Sequence, residues 1–315
     1  MPNRIRLAAT TLFLATAALL PLSTQAWAED PAASCRQALT TLLPRDLTDL
    51  IGKVEVSALG GARCRYSDLA LTPSVTLAIH IREVDVDFGD FGALRPQTLP
   101  PRLTVTVRGL RIQPNIPNAL TRYYLAHVGH PFELRLDYET DARERRLTLK
   151  SFSASSPALG RFSLSAEIDG VDLSAPPEAD RLAATAALGG VRIHFVNRQM
   201  IQNMLLMPLM TALPDAQEQP ERAMATLKAA VLAGVMLDSS LDPASKQALD
   251  AFVAAFPDNK GALDVILAPK VPVPLVQIAT AIQGDDRQKR EVAAALNLSV
   301  RYIDLTWFVD LLDSL

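Results

Sequence analysis

The chain predicts an α+β fold: a largely antiparallel, curved, one-sided β-sheet covered by a C-terminal helical block. Two observations carry that expectation. From about 53 to 195 apolar and polar residues alternate with period two, the pattern of strands with one buried and one wet face. After Phe195 the period becomes helical, so helices follow the strands as a block instead of alternating with them, which argues against a doubly wound parallel sheet. The 315 residues carry 31 basic and 34 acidic side chains, a formal charge of -3, which excludes the positive field of a general nucleic-acid binder. With 49% hydrophobic and 21% charged residues the chain can bury a core.

The elements follow in order. Arg4 and Arg6 precede an uncharged stretch from 7 to 22, and Ala26-Trp27-Ala28 places small residues where a signal peptidase cuts, so 1–28 reads as a cleaved secretory signal. At about 16 residues the apolar stretch falls short of the roughly 20 that cross a bilayer. The expected address is a bacterial periplasm, with 29–315 forming a single interleaved domain, β-rich over 29–195 and mainly helical over 196–315. Export puts the only two cysteines, Cys35 and Cys64, in an oxidising compartment and predicts a disulfide between them. The rival reading of Ala32-Ala33-Ser34-Cys35 is a lipoprotein box with a lipidated Cys35, against which Ala32 and the acidic Glu29-Asp30 speak.

A short helix is expected over 35–43. Gly60-Gly61 reads as a turn, since it lacks the lysine and hydroxyl of a phosphate loop. Val75, Leu77, Ile79 and Ile81 alternate with Thr76, Ala78, His80 and Arg82, then the phase slips by one to Val84, Val86 and Phe88, which predicts a bulge near Arg82 and Glu83 that restores them to the same face. Asp85, Asp87 and Asp90 lack the spacing of a calcium loop, so Asp85 and Asp87 are expected on a wet strand face. A helix over 118–127 would carry Tyr123, Tyr124 and His127, with His130 beyond; a lone His-x-x-His pair reads as packing or surface. Phe132, Leu134, Leu136 and Tyr138 alternate with charges, and a polar turn over 140–144 returns the chain through Leu147 and Leu149 as a hairpin. Three segments share one plan, Arg102-Leu103 to Gly109-Leu110, Arg161-Phe162 to Gly170-Val171 and Arg181-Leu182 to Gly190-Val191, in which a glycine re-aims an apolar strand.

Asn197 can cap a helix reaching about 213, Pro220 suits the first turn of a helix over 221–236, and Asp242-Pro243 supplies a cap and first-turn proline for a helix to 256. A strand over 262–267 is expected to return to the sheet. Helices over 274–282 and 286–295, a strand over 296–303 and a terminal helix from 304 complete the chain.

Met200, Met204, Met207 and Met210, spaced four, three and three, would share one helix face. They read either as core filler or, with Leu134 and Leu164 from the strands, as the lining of a pocket for an apolar, lipid-like ligand. A soft-metal site is disfavoured because no cysteine or histidine cluster accompanies the thioethers. No nucleophile elbow, zinc-protease histidine pair or dinucleotide fingerprint occurs, and no cofactor or metal is expected.

The segments Leu134-Arg-Leu-Asp-Tyr138, Arg146-Leu-Thr-Leu-Lys150 and Leu159-Gly-Arg-Phe-Ser-Leu-Ser-Ala166 resemble the repeated hairpins of proteobacterial envelope proteins in the style of the AsmA-like and YdgA-like families. That resemblance implies envelope lipid handling or outer-membrane maintenance and transfers no site residue. The leading expectation is a non-catalytic periplasmic protein binding an apolar small molecule such as a lipid. The alternatives are an envelope scaffold that docks a protein partner through a terminal segment containing Trp307 and Phe308, and a hydrolase whose dispersed serine or carboxylate reaches His127 or His194. No nucleic-acid partner is expected.

Overall fold

The computed structural model describes residues 30–42, 54–74, 77–95, 98, 100–114, 130–171, 184–213 and 216–305. The expected signal at 1–28, the helix over 118–127 with Tyr123, Tyr124 and His127, and the segment after 305 with Trp307 lie outside them.

The α+β class and the antiparallel sheet are found. An N-terminal helix α1 (Pro31–Leu42) precedes β1 (Glu55–Gly60), β2 (Arg63–Ser74), β3 (Leu77–Asp87), β4 (Arg102–Pro114), β5 (Phe132–Asp141), β6 (Arg146–Ser156), β7 (Gly160–Asp169) and β8 (Ala187–Asn197). A π turn (Ile201–Leu205) leads into α2 (Leu206–Ala212), α3 (Pro220–Leu237) and α4 (Pro243–Ala255). The chain then returns through β9 (Gly261–Leu267), β10 (Val273–Pro274), α5 (Leu275–Gln283), α6 (Asp286–Leu296) and β11 (Leu298–Asp304). These strands form one open sheet in the order β1 through β9, then β11, with β10 beside β8 and every pairing antiparallel. Residue 304, where a terminal helix was expected to start, instead ends β11.

Local chemistry explains these elements. Gly60 and Gly61, both at positive φ, make the tight β1–β2 turn that side-chain-bearing residues adopt at a cost. The Asp242 carboxylate accepts from the Ala244 and Ser245 N–H groups ahead of Pro243, as its sequence predicts. Asp285 and Gln288 form a reciprocal capping box on α6. The bulge expected at Arg82 is not found, since β3 keeps one register with β2 and with β4 through that residue; instead Asp68 at φ 56° and Gly109 at φ 68° lie beside Arg82 on the two neighbouring strands. One extra residue is absorbed between β4 and β5, where the register shifts from Val107 to Leu110.

Two helices, α1 and α4, pack on the two ends of the sheet. At one end Cys35 on α1 is bonded to Cys64 on β2, and the Tyr66 hydroxyl donates to the Cys35 carbonyl at 2.8 Å. Cys35, Ala38, Cys64, Tyr66, Val86 and Phe88 form the buried core there. The disulfide confirms the predicted pair and, by consuming the thiol, overturns the lipidated-Cys35 alternative. At the other end α4 covers β11: Phe252 packs edge-on against Tyr302 at 5.5 Å, and the Val300 N–H donates to the buried Ser245 hydroxyl at 2.9 Å.

Candidate ligand-binding face

In an antiparallel sheet, residues directly opposite each other point to the same side. Read across the pairings, one side of this sheet is apolar from edge to edge. One row joins Val56, Tyr66, Val84, Val107 and Leu134 and continues through Ala154, Phe162, Phe195, Leu263 and Tyr302. The adjacent row runs Ala58, Cys64, Val86, Val105 and Leu136, then Phe152, Leu164, Ile193, Val265 and Val300. A third begins at Leu103 and Tyr138 and passes through Leu149, Ala166, Val191, Leu267 and Leu298. A register shift in β6, at Lys150, keeps the third row in phase with the other two.

The opposite side is polar along a matching row: Ser57, Arg65, Asp85, Thr106 and Arg135, then Ser153, Ser163, His194, Asp264 and Arg301. Its charges pair across strands. Asp85 accepts two hydrogen bonds from Arg65, at 2.7 and 2.8 Å, and one from Arg108 at 2.7 Å, while Arg108 also grips Glu83. The Arg65 guanidinium, helped by Arg108, holds the Asp85 carboxyl below its usual range. Asp85 thus stands on the wet face as its alternation predicts. His194 Nδ1 lies 2.6 Å from Asp264 Oδ1.

The two ends of the apolar side are covered by α1 and α4, the helices that carry Cys35 and Phe252. Between them, from β3 to β9, residues such as Val84, Leu134, Phe162, Leu164 and Ile193 are only half-buried. At the strand spacing of a sheet this floor is about 29 Å long, and three rows make it about 14 Å wide. Phe152 and Phe162 meet edge to face at 6.3 Å and give it a rigid centre. Tyr138 is 6% exposed, its hydroxyl has no partner, and burial pushes its pKa up to about 12, so it remains a neutral phenol.

Leu134 and Leu164, expected from the sequence to line a pocket, do lie together on this face, in neighbouring rows. The methionines behave differently. Met200 is 8% exposed and Met204 45%, although four residues apart, because the turn after Met200 is a π turn in which Leu206 N–H bonds to Ile201 C=O. Its wider turn breaks the α-helical spacing on which a common methionine face depends. Met210 is half-buried on α2, and the Met207 side chain lies outside the described residues. The candidate site is therefore an open sheet face rather than a methionine-lined cavity.

The contact of His194 with Asp264 escaped the sequence reading, since 70 residues separate them and strand alternation alone does not set which strands pair. Among the described residues no group of three or more His, Cys, Asp or Glu side chains is placed to hold a metal ion, and no helix is long and apolar enough to cross a membrane.

Residues 153–302, from β6 into β11, match a family model described as an uncharacterized protein. A comparison with curated proteins found no match.

Proposed function

We propose that this protein binds the acyl chain of a lipid-like ligand along the apolar face of its open sheet, without catalysing a reaction, in an exported, oxidising compartment such as a bacterial periplasm. The observation that carries this reading is the continuity of three apolar rows that, among the described residues, α1 and α4 cover at their two ends. Such a face on the central strands is larger than the scattered apolar residues of an ordinary surface, and contiguous apolar surface of this extent marks a binding site. Its dimensions suit the ligand: a chain reaching across one bilayer leaflet is about 15 Å long, and the floor accommodates it along its length. The Cys35–Cys64 bridge supports the oxidising address. A role in envelope lipid handling or maintenance agrees with the hairpin resemblance.

Purification from the native host followed by native and then denaturing mass spectrometry tests the reading. The expected result is a chain beginning at Glu29, two hydrogens lighter than the reduced form, that releases a lipid on denaturation. A ligand-free chain that also fails to take up a neutral fluorescent probe, N-phenyl-1-naphthylamine, would refute chain binding. A second test is mutational. Leu134→Glu and Leu164→Glu each place a charge on the half-buried floor and are expected to weaken probe binding at least about tenfold, the cost of desolvating a carboxylate against an apolar chain.

A further inference from the structure

One end of the apolar face is finished with groups of another kind. Beyond the row that contains Phe162, Phe195 and Leu263, the same side of the sheet carries Ser156, Gly160, Asn197 and Gly261 in register. Asn197 is 1% exposed and fully engaged. Its amide nitrogen donates to the Asn259 carbonyl at 2.5 Å and its amide oxygen accepts from the Ile201 N–H at 3.0 Å, which ties β8 to the π turn.

Asn259 is 2% exposed, yet neither its amide nitrogen nor its amide oxygen has a partner. The Tyr302 hydroxyl is also enclosed and unpaired. A Cβ placed on Gly261 would lie 2.8 Å from that hydroxyl and 2.7 Å from the ring, so glycine is required where the phenol crosses the strand. Buried amides and hydroxyls are almost always satisfied, and leaving one without a partner is costly. Asn259 lies two residues ahead of that glycine and the Tyr302 hydroxyl beside it, next to the row that ends the apolar face, and each is a polar group that a ligand atom would satisfy.

The charges nearby select what kind. Lys260 precedes Gly261 in the chain, Asp304 pairs with it across the sheet, and both are already engaged. Burial and the Asp304 carboxylate together raise the Tyr302 pKa, which keeps the phenol protonated and disfavours an anion beside it. The unsatisfied groups are a neutral amide, which both donates and accepts, and a neutral hydroxyl.

Resting on the chain-binding reading above, we propose that Asn259 and Tyr302 hold the uncharged polar end of the ligand, a hydroxyl or ester carbonyl of the acylglycerol class, while its chain lies on the apolar rows. The site discriminates a glyceride from a fatty acid or a phospholipid headgroup.

The test uses the full chain and three probes, 1-oleoylglycerol, oleate and N-phenyl-1-naphthylamine, with Tyr302→Phe and Asn259→Ala as variants. Wild type should bind 1-oleoylglycerol about tenfold more tightly than oleate, and Tyr302→Phe should weaken the glyceride about fivefold, the value of one hydrogen bond. The same variant should leave oleate and naphthylamine binding unchanged and keep or raise the ligand-free melting temperature, since it removes an unsatisfied hydroxyl. Asn259→Ala should lower glyceride affinity in the same selective way. Wild-type protein that binds all three probes without preference, or glyceride binding indifferent to Tyr302→Phe, overturns the polar end and leaves chain binding standing. Wild-type protein that binds none of the three overturns both.

Discussion

Gly160 illustrates how single residues set this sheet. It sits at φ 117°, and a methyl group on it would come within 2.1 Å of the Val196 carbonyl oxygen. Gly160→Ala is therefore predicted to destabilise the fold by at least about 2 kcal/mol, read as a lower urea midpoint with an unchanged slope. Asp85 gives a pH prediction. Because Arg65 and Arg108 lower its folded pKa, its contribution is complete above the ordinary carboxylate value of about 4 and is lost as pH falls through the lower folded value. Asp85→Asn should cost about 1 kcal/mol or less at pH 7, given solvent screening, and the difference from wild type should vanish in acid. The only two cysteines and the Asp242-Pro243 cap were legible in the sequence, because each is a local or exclusive signal. The orphaned groups of Asn259 and Tyr302 were not, since they depend on strands that meet 43 residues apart through the Gly261–Asp304 end of a long-range pairing.

At the scale of elements, alternation foretold most strands, because each strand has one dry and one wet face, whereas the bulge it predicts at Arg82 is absent from the pairings of β3. The π turn was not foretold. Four methionines at helical spacing predict one stripe only while the helix holds 3.6 residues per turn, and Ile201–Leu205 departs from that. The short strand β10 was also missed, since two residues give no period to read. The join between α1 and β2 yields a further prediction. Closing 29 residues of sequence separation, the Cys35–Cys64 bridge should contribute about 3 to 4 kcal/mol in the chain-entropy account. The double variant Cys35→Ser/Cys64→Ser should lose that amount in denaturant unfolding, and reductant should have the same effect on wild type. A stability unchanged by either would mean that the core of Tyr66, Phe88 and Ala38 holds α1 without it.

For the whole molecule the decisive feature is register. The sequence predicted a one-sided sheet, and each strand's apolar residues were visible, but whether they align across strands depends on pairings that alternation does not specify. In the structure they do align, into three rows that cross β3 to β9 and, among the described residues, are covered at their ends by α1 and α4. Leu134 and Leu164 were named from the sequence because their own strands alternate clearly; the width of the face around them emerged only from the pairings. Substituting a polar-side residue such as Ser163→Glu should leave apolar-probe binding unchanged, whereas Leu164→Glu, one position along the same strand, should abolish most of it. The most direct measurement is photo-crosslinking with a diazirine-bearing acyl chain, followed by peptide mapping. The account predicts adducts on Leu134, Leu164, Ile193 and their neighbours in the apolar rows, competed away by an unlabelled acyl lipid. Adducts confined to the side that carries Arg135, Ser163 and His194, or none that an unlabelled lipid displaces, would contradict it.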